Sequence, residues 1–254
     1  NGTIMRFFIL RLFYLTLAVV TRAQECMPSP GAPIFLEDFG SGSNPGPAVP
    51  QGTTTYTYGS TNTGGYVVTN TTDLDPNFWH KGVDHTEGDI NGYMLLFNVS
   101  EGPGIFYQKT ITGLCPNTNY IFSYHAANVV IPIACIGDAR KPNVRTTVIN
   151  PADSTIQVST RTKEIFFSSF LTWREYAIPF RTGPEQTSAL VQLINAGSSG
   201  CGGDLAIDDI SLRLCIVQLE QSFDLCDLPD GSLTVGSNTY TEPGTYLDFF
   251  PVTN

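Results

Sequence analysis

Short runs in which hydrophobic and polar residues alternate recur along most of the chain. Roughly ten of these runs, each about four to nine residues long, are separated by clusters of Gly, Pro, Asn or Asp. Clear examples are GYVVTN (65–70), YMLLFNVS (93–100) and NYIFSYHAANV (119–129). A period of two residues places alternate side chains on opposite faces of a strand. The pattern therefore predicts an all-β sandwich or barrel.

The composition fits strands and turns, and the charge restricts the class of partner. Only 14% of the residues are charged, whereas 41% are hydrophobic, which is ample for a packed core. The formal net charge is −10. Because a negative surface repels phosphate groups, we expect no binding to nucleic acid or to anionic lipid.

The first 23 residues have the features of a secretory signal peptide. From Met5 the chain reads MRFFILRLFYLTLAVVTRA, a basic start and an apolar stretch with small residues at the cleavage positions. Residues 1–4 precede that methionine and read as upstream translation. We predict cleavage before Gln24 and a secreted, extracellular protein at the cell surface. No later apolar run approaches about 18 residues, so the processed chain should not span a membrane.

All six cysteines lie after the predicted cleavage site, and an even number in an exported chain indicates disulfide bonds. Cys115 lies at the start of one predicted strand and Cys215 ends the last one, so we predict a Cys115–Cys215 bridge between strand ends. Cys135 and Cys201 lie in long loops that can approach each other at one end of a sandwich. We predict them as the second pair.

Three segments follow the signal peptide. Residues 24–33 are a Pro-rich linker, residues 34–216 form the sandwich, and residues 217–254 are the incomplete start of a further small β module. Turn signals within the last segment indicate hairpins. Cys26 and Cys226 remain, either to pair with each other or to pair within that further module.

Four phrases resemble, in order and spacing, the N-terminal jelly-roll module of large secreted, gliding-motility-associated surface proteins of Bacteroidetes. They are LEDFGSGSNPGP, DHTEGDINGYMLLFN, GLCPNTNYIFS and GGDLAIDDISLRLC. The acidic first strand, the DHT phrase and the last strand are also similar to the MAM adhesion domain. More distantly, the chain resembles family-4/9-type carbohydrate-binding modules. The likeness implies that residues 34–216 are an antiparallel two-sheet jelly-roll sandwich.

Carboxylates at the two ends of the sandwich predict a structural metal site. Glu37 and Asp38 end the first strand, and Asp208 and Asp209 lie inside the last one between isoleucines. Charged groups inside a core strand need a partner or a ligand. Because the first and last strands of a jelly roll commonly lie side by side, we expect these four carboxylates to hold Ca²⁺, a cation that prefers oxygen ligands. Asp84 in the DHT phrase is a further candidate ligand. The competing interpretation is that Asp208 and Asp209 only cap turns or face solvent.

The sequence offers no catalytic motif. The three histidines are scattered, without a spacing that would place two on one helical face, and no GxSxG elbow occurs. The aromatic residues offer other material for binding. Exposed rings at Trp79, Tyr56, Tyr58 and Tyr66 could stack on sugars, although packing in the core explains most aromatic residues of a sandwich.

We therefore predict a non-catalytic recognition or adhesion module of a multidomain cell-surface protein, with a glycan or a surface protein as its ligand. The first alternative is a carbohydrate-binding module attached to a downstream polysaccharide-degrading enzyme. A hydrolase in its own right, using paired carboxylates, and a purely architectural spacer are the remaining alternatives. Tandem β repeats downstream would favour adhesion, and a downstream catalytic domain would favour the first alternative.

Overall fold

A computed structural model describes residues 26–29, 31–100, 102–135, 140–197, 200–217, 232–235 and 238–242. The predicted signal peptide and Cys226 lie outside these residues. The described residues form strands and no α-helix. The strands are β1 (Cys26–Pro28), β2 (Phe35–Glu37), β3 (Thr57–Tyr58), β4 (Gly65–Thr69), β5 (Met94–Asn98), β6 (Ile105–Thr112), β7 (Asn119–Asn128), β8 (Val144–Asn150), β9 (Thr155–Arg161), β10 (Arg174–Arg181), β11 (Ser188–Asn195), β12 (Leu205–Val217), β13 (Leu233–Val235) and β14 (Asn238–Tyr240).

Twelve of these strands form two sheets that face each other. The larger sheet has eight strands in the order β10-β7-β12-β5-β4-β3, with β1 and β2 also paired to β12. The smaller sheet has the order β6-β11-β8-β9. Every pairing in the two sheets is antiparallel except the short parallel contact between β3 and β4. The predicted fold class, an all-β two-sheet jelly-roll sandwich, is confirmed.

The first strands of the chain lie beside the last strand of the sandwich. In the pairing of β2 with β12, Glu37 lies opposite Ile210 and Phe35 lies opposite Leu212. Farther along β12, Pro28 of β1 lies opposite Cys215. Strand β1 thus falls within the segment that the sequence predicts as a linker. The expected proximity of first and last strands is present.

The main core lies between the two sheets and is rich in aromatic rings. Alternation along β7 sends Tyr120, Phe122 and Tyr124 inward, where each is at most 1% exposed. Phe97 and Phe106 meet edge to face across the core, with ring centroids 5.0 Å apart. Burial of such rings removes a large apolar area from water and dominates the stability of the sandwich.

A second apolar cluster covers the outer face of the larger sheet. Met94 and Leu96 of β5 point to this face, and the loop that joins β4 to β5 lays Trp79 over them. Residues of the loop before β10, among them Leu171 and Trp173, pack against the same cluster. Part of the larger sheet is therefore buried on both faces, where these loops pack against it.

Strand β12 contains a bulge at Asp208 and Asp209. Ile207 and Ile210 both point into the main core although three positions separate them, which strict alternation forbids. The register with β7 shifts between Asp208 and Ser211, and Asp209 has a φ of 48°. A bulge leaves an extra residue unpaired and redirects its side chain. Both aspartates consequently lie outside the main core.

The disulfide prediction is half right. Cys135 and Cys201 form the predicted disulfide. The predicted Cys115–Cys215 bridge is wrong, because Cys115 is a free, exposed thiol and Cys215 belongs to another disulfide. The Cys115 backbone is held by Tyr120 and Thr182, since its N–H donates to the Tyr120 hydroxyl and its carbonyl accepts from the Thr182 hydroxyl. These bonds hold Cys115 beside the β7–β10 pair.

The chain divides into two compact units between Val217 and Gln218. The described part of the second unit is a hairpin in which β13 and β14 pair, with Leu233 opposite Tyr240. That residues 217–254 begin a further module stays a prediction. None of the described residues belongs to a helix long and apolar enough to cross a lipid bilayer.

Candidate functional site

Loops at one end of the larger sheet form the walls of an open cleft. At this end β5 and β7 finish while β4 and β12 begin, because β5 is antiparallel to both β4 and β12. Loops grouped at the end of a rigid sandwich are a common place for binding sites. The cleft has a volume of about 470 Å³, within the range of small-molecule sites.

The cleft combines polar side chains with one accessible aromatic ring. Its polar lining includes Thr63, Asp75, Asn98 and Asp204, and the ring is that of Phe78. The Phe78 side chain is 44% exposed. Asn98 ends β5, and its side-chain amide donates to the Thr61 carbonyl at 2.8 Å. A ligand in the cleft would meet hydroxyl, amide and carboxylate groups beside an apolar face.

Phe78 is held in place by its neighbours. The buried Trp79 ring anchors the segment in the outer apolar cluster, and its Nε1 donates to Asp204 Oδ2 at 2.9 Å. The Phe78 carbonyl accepts from the Ile131 N–H at 2.8 Å, and the His80 N–H donates to the Val129 carbonyl at 2.7 Å. With Trp79 pointing inward, the adjacent Phe78 points outward. The ring is therefore presented on a rigid backbone.

Asp204 is part of the wall of the cleft and is tied into the fold. Its Oδ1 accepts from the Val99 N–H at 3.0 Å, and its Oδ2 accepts from the Trp79 indole. Burial raises the pKa of Asp204, and the hydrogen bonds from Trp79 and Val99 oppose that shift. The Cys135–Cys201 disulfide also lines the cleft and links two of its loops.

The four rings singled out from the sequence are not the accessible aromatic surface. Tyr56, Tyr66 and Trp79 are buried, so packing in the core explains these three rings and stacking on sugars does not. Tyr58 is 38% exposed, but its hydroxyl donates to the Gly46 carbonyl and it does not line the cleft. The sequence analysis did not identify Phe78 as a binding residue. Its position next to Trp79 in a loop is a signal, because two adjacent rings cannot both pack into the same core.

A second polar region lies on the outer face of β7 and β12. Asp208 is fully buried there, and its Oδ2 accepts from the His85 N–H at 2.7 Å. Asp209 accepts from the Thr86 hydroxyl at 2.8 Å through Oδ1, and its Oδ2 lies 2.7 Å from His85 Nδ1. The DHT phrase therefore crosses the bulge of β12, and the two aspartates hold it there.

Two histidines that look scattered in the sequence are stacked in this region. The rings of His85 and His125 lie 3.5 Å apart between centroids and 15° from parallel. His125 projects from β7 opposite Asp208, on the outer face. Burial lowers the pKa of His125, and so does the neighbouring His85. The spacing of these histidines gave no signal because a loop and a strand, not one helix, bring them together.

The carboxyl groups of this region are crowded. The side chains of Asp84 and Asp89 both approach the Cα of Gly92. Burial raises the pKa of Asp84 to about 6, and the nearby Asp89 adds to the shift. Burial likewise raises the pKa of Asp208 to about 8, against hydrogen bonds from the His85 and Asp209 N–H groups. The fold thus concentrates carboxyl groups at one place, where burial favours the protonated forms of Asp84 and Asp208.

The structure does not bring Glu37 and Asp38 to this region. Glu37 shares the inner face of the sheet with Ile210 and lies near Tyr107 and Lys109, whereas Asp208 lies on the outer face. Asp38 accepts from the Gly40 N–H at 3.0 Å in the turn after β2. Neighbouring strands therefore carry their carboxylates to opposite faces. A single site containing all the predicted ligands is not formed.

Calcium binding stays a prediction, and its possible ligands are now fewer. Ca²⁺ takes six to eight oxygen ligands at about 2.3–2.6 Å. Asp84, Asp208 and Asp209 lie in one region, together with Asp89. Glu37 cannot join them without moving through the sheet, and Asp38 accepts from the Gly40 N–H in the turn after β2.

Neither a family model nor a curated protein matches the chain. Among solved structures, a cyclase from Fischerella sp. TAU in complex with an indole compound is 14% identical, with a TM-score of 0.42 over 78% of this chain and 92% of that chain. The C-terminal domain of EclA, described as a sugar-binding protein, is 19% identical, with a TM-score of 0.31 over 43% of this chain and 66% of that chain, just under two thirds. A CBM4 structure is 13% identical, with a TM-score of 0.31 over 59% of this chain and 86% of that chain. At these values the likenesses carry no functional conclusion for this chain.

Proposed function

We propose that this chain is a secreted, non-catalytic module that binds a saccharide in the cleft at the end of the larger sheet. The observation that carries the proposal is the position of the Phe78 ring, exposed beside Asp75 and Asn98. A pyranose ring has an apolar face, which packs on an aromatic ring, and a rim of hydroxyls, which bind amides and carboxylates.

The rigidity of the cleft supports recognition. The segment that carries Phe78 pairs through Trp79 with Val130, and the disulfide joins Cys135 to Cys201 across the same cleft. A preformed site loses little conformational entropy when a ligand binds. The aromatic ring and the polar groups are therefore ready for a ligand without rearrangement.

The carboxylates of the cleft favour binding over glycoside hydrolysis. Hydrolysis needs two carboxyl groups on either side of the scissile bond, one of them able to give up a proton. Among the residues that the structure describes, Asp75 and Asp204 are the carboxylates that line the cleft. Both oxygens of Asp204 already accept hydrogen bonds from the protein, so Asp204 supports the fold and is not free to serve with Asp75 as a catalytic pair.

Secretion and a role at the cell surface complete the proposal. The predicted signal peptide and the Cys135–Cys201 disulfide both suit an oxidising, extracellular setting. A recognition module of this kind serves adhesion in a surface protein. It would equally serve a polysaccharide-degrading enzyme, and the full reading frame distinguishes these uses through the domains that follow.

The proposal is tested with the full chain against soluble polysaccharides in native gels. Hydroxyethylcellulose, xylan, glucomannan and galactan are each cast into the gel, and slowed migration reports binding. We expect at least one of them to slow the protein, and we expect no reducing ends to be released on prolonged incubation. Release of reducing ends that disappears in Asp75→Asn would overturn the non-catalytic part. No retardation by any of the four would count against saccharide binding.

A further inference from the structure

The outer face of the larger sheet carries three side chains whose donor atoms converge. His125 projects from β7 directly opposite Asp208 of β12. The bulge in β12 then places Asp209 beside it, and the loop before β5 lays His85 over both. One ligand atom from each of His85, His125 and Asp209 lies within 4.8 Å of the other two.

Hydrogen bonds and a ring contact with neighbouring residues hold His85 and Asp209 in place. Asp208 accepts from the His85 N–H, which fixes the loop over the strand. Thr86 donates to Asp209 Oδ1 and orients that carboxylate. The Trp173 ring meets the His85 ring edge to face, with centroids 6.0 Å apart. Metal ligands are commonly oriented by such surrounding contacts.

One ring nitrogen in the group is buried without a partner. His125 Nδ1 is shielded from solvent and makes no hydrogen bond among the described residues. A buried polar atom left unsatisfied costs about 1–3 kcal/mol. The two imidazole rings are stacked with their centroids 3.5 Å apart, which brings their nitrogen atoms close together.

We propose that His85, His125 and Asp209 bind a divalent transition metal ion of the Zn²⁺ class. Two imidazole nitrogens and one carboxylate are the donor set that Zn²⁺ favours, whereas Ca²⁺ requires six to eight oxygens. This site is distinct from the saccharide cleft and does not depend on the proposed function.

To accept the ion, the two stacked imidazole rings must turn until one nitrogen of each points at the same place, because the rings lie only 15° from parallel. Zn²⁺ binds nitrogen and oxygen at about 2.0–2.2 Å, so its ligands stand roughly 3–3.5 Å from one another. His85 Nδ1 and Asp209 Oδ2 are 2.7 Å apart in a hydrogen bond. When the ion binds, it takes the place of the shared proton and the two atoms move slightly apart. The side chains of His85 and Asp209 are 34% and 19% exposed, so the ion has a path from solvent and water completes its coordination.

The test uses the full, untagged chain in a Cys115→Ser background, because the exposed Cys115 thiol would also bind zinc. Titration calorimetry with Zn²⁺ should show one ion per chain. Co²⁺ should give the visible absorption of a site with nitrogen and oxygen ligands and no thiolate band. Asp209→Asn and His85→Gln should each weaken Zn²⁺ binding by roughly tenfold to a hundredfold or more. Both changes are at partly exposed positions, and circular dichroism verifies the fold.

The matched control is Asp38→Asn, which changes a carboxylate in the turn after β2 that is not one of the three proposed ligands. It should bind Zn²⁺ like the unchanged chain. The proposal is overturned by an absence of stoichiometric Zn²⁺ binding, or by Zn²⁺ binding that both site variants retain in full. Displacement of Zn²⁺ by an equal concentration of Ca²⁺ would overturn the assignment to the transition-metal class.

Discussion

Trp79 Nε1 donates a 2.9 Å hydrogen bond to Asp204 Oδ2, although 125 positions separate the two residues along the chain. This bond joins the loop that carries Phe78 to the start of β12. Because Asp204 also accepts from the Val99 N–H, its carboxylate links three segments at the end of the sheet. The shape of the cleft therefore depends on one buried indole and one carboxylate.

Replacing Trp79 with Phe should lower stability more than the same change at the other tryptophan. Trp79→Phe keeps an aromatic ring but leaves a partly buried carboxylate short of a donor, which costs about 1–3 kcal/mol. Trp173→Phe loses a longer bond, 3.2 Å, to the Val83 carbonyl, and we expect less than about 1 kcal/mol. Urea unfolding of both variants measures the difference, and equal losses would refute the role given to Asp204.

The pattern of hydrophobic positions was sufficient for the sandwich, and the resemblance to jelly-roll modules supplied the expectation that the first and last strands lie side by side. The pattern was not sufficient for the faces on which charged residues lie. The sequence IDDI contains the signal of a bulge, since Ile207 and Ile210 cannot both face the core in a regular strand. Once the bulge is included, Asp208 and Glu37 fall on opposite faces, and the predicted five-ligand site is divided.

The meeting of His85 and His125 could not be read from the sequence. It depends on the register of β7 against β12 and on the path of a loop across the sheet, and both are fixed by long-range contacts. The exposure of Phe78 likewise depends on the apolar cluster into which Trp79 packs. Both features depend on tertiary structure, because a local pattern of residues does not specify which distant strand will lie beside it.

Chemical labelling should distinguish the Cys135–Cys201 disulfide from the free thiol of Cys115. Cys135 and Cys201 close a loop with a sequence separation of 66, for which chain entropy gives a stabilisation of about 4 kcal/mol. The Cys135→Ser, Cys201→Ser double variant should lose stability of that order in urea. Without reduction, iodoacetamide should label Cys115 and leave Cys135 unlabelled in peptide maps. A Cys115 that resists labelling in the unreduced protein would contradict its assignment as a free thiol.

Stability should fall at alkaline pH as buried tyrosines ionise on unfolding. Burial raises the pKa of Tyr56 to about 12 from its ordinary value of 10.0. Between those pH values the unfolded chain loses a proton that the folded chain keeps, so the free energy of unfolding decreases as pH rises. Tyr56→Phe should reduce that decrease in melts from pH 9 to 12. The partly exposed Tyr58→Phe is the control, and an equal effect of both would contradict the assignment.

Any stabilisation by Ca²⁺ should come from the outer face alone. Saturation at about a hundred times the dissociation constant would add about 2.7 kcal/mol to the free energy of unfolding. We expect Asp84→Asn to remove a Ca²⁺-dependent rise in the melting temperature, because Asp84 and Asp89 crowd together there. Glu37→Gln should leave the response unchanged. Thermal melts in Ca²⁺ and in EDTA decide this, and loss of the response in Glu37→Gln would restore the site predicted from the sequence.

The most direct test of saccharide binding is a calorimetric comparison of two phenylalanine variants with whichever polysaccharide slows the protein most. Phe78→Ala removes the ring that lines the cleft, whereas Phe170→Ala removes a ring that is 71% exposed and lies outside it. Loss of stacking should weaken binding by about 1–2 kcal/mol, roughly five- to thirtyfold. The proposal predicts that loss for Phe78→Ala and unchanged affinity for Phe170→Ala. Full affinity in Phe78→Ala would contradict it.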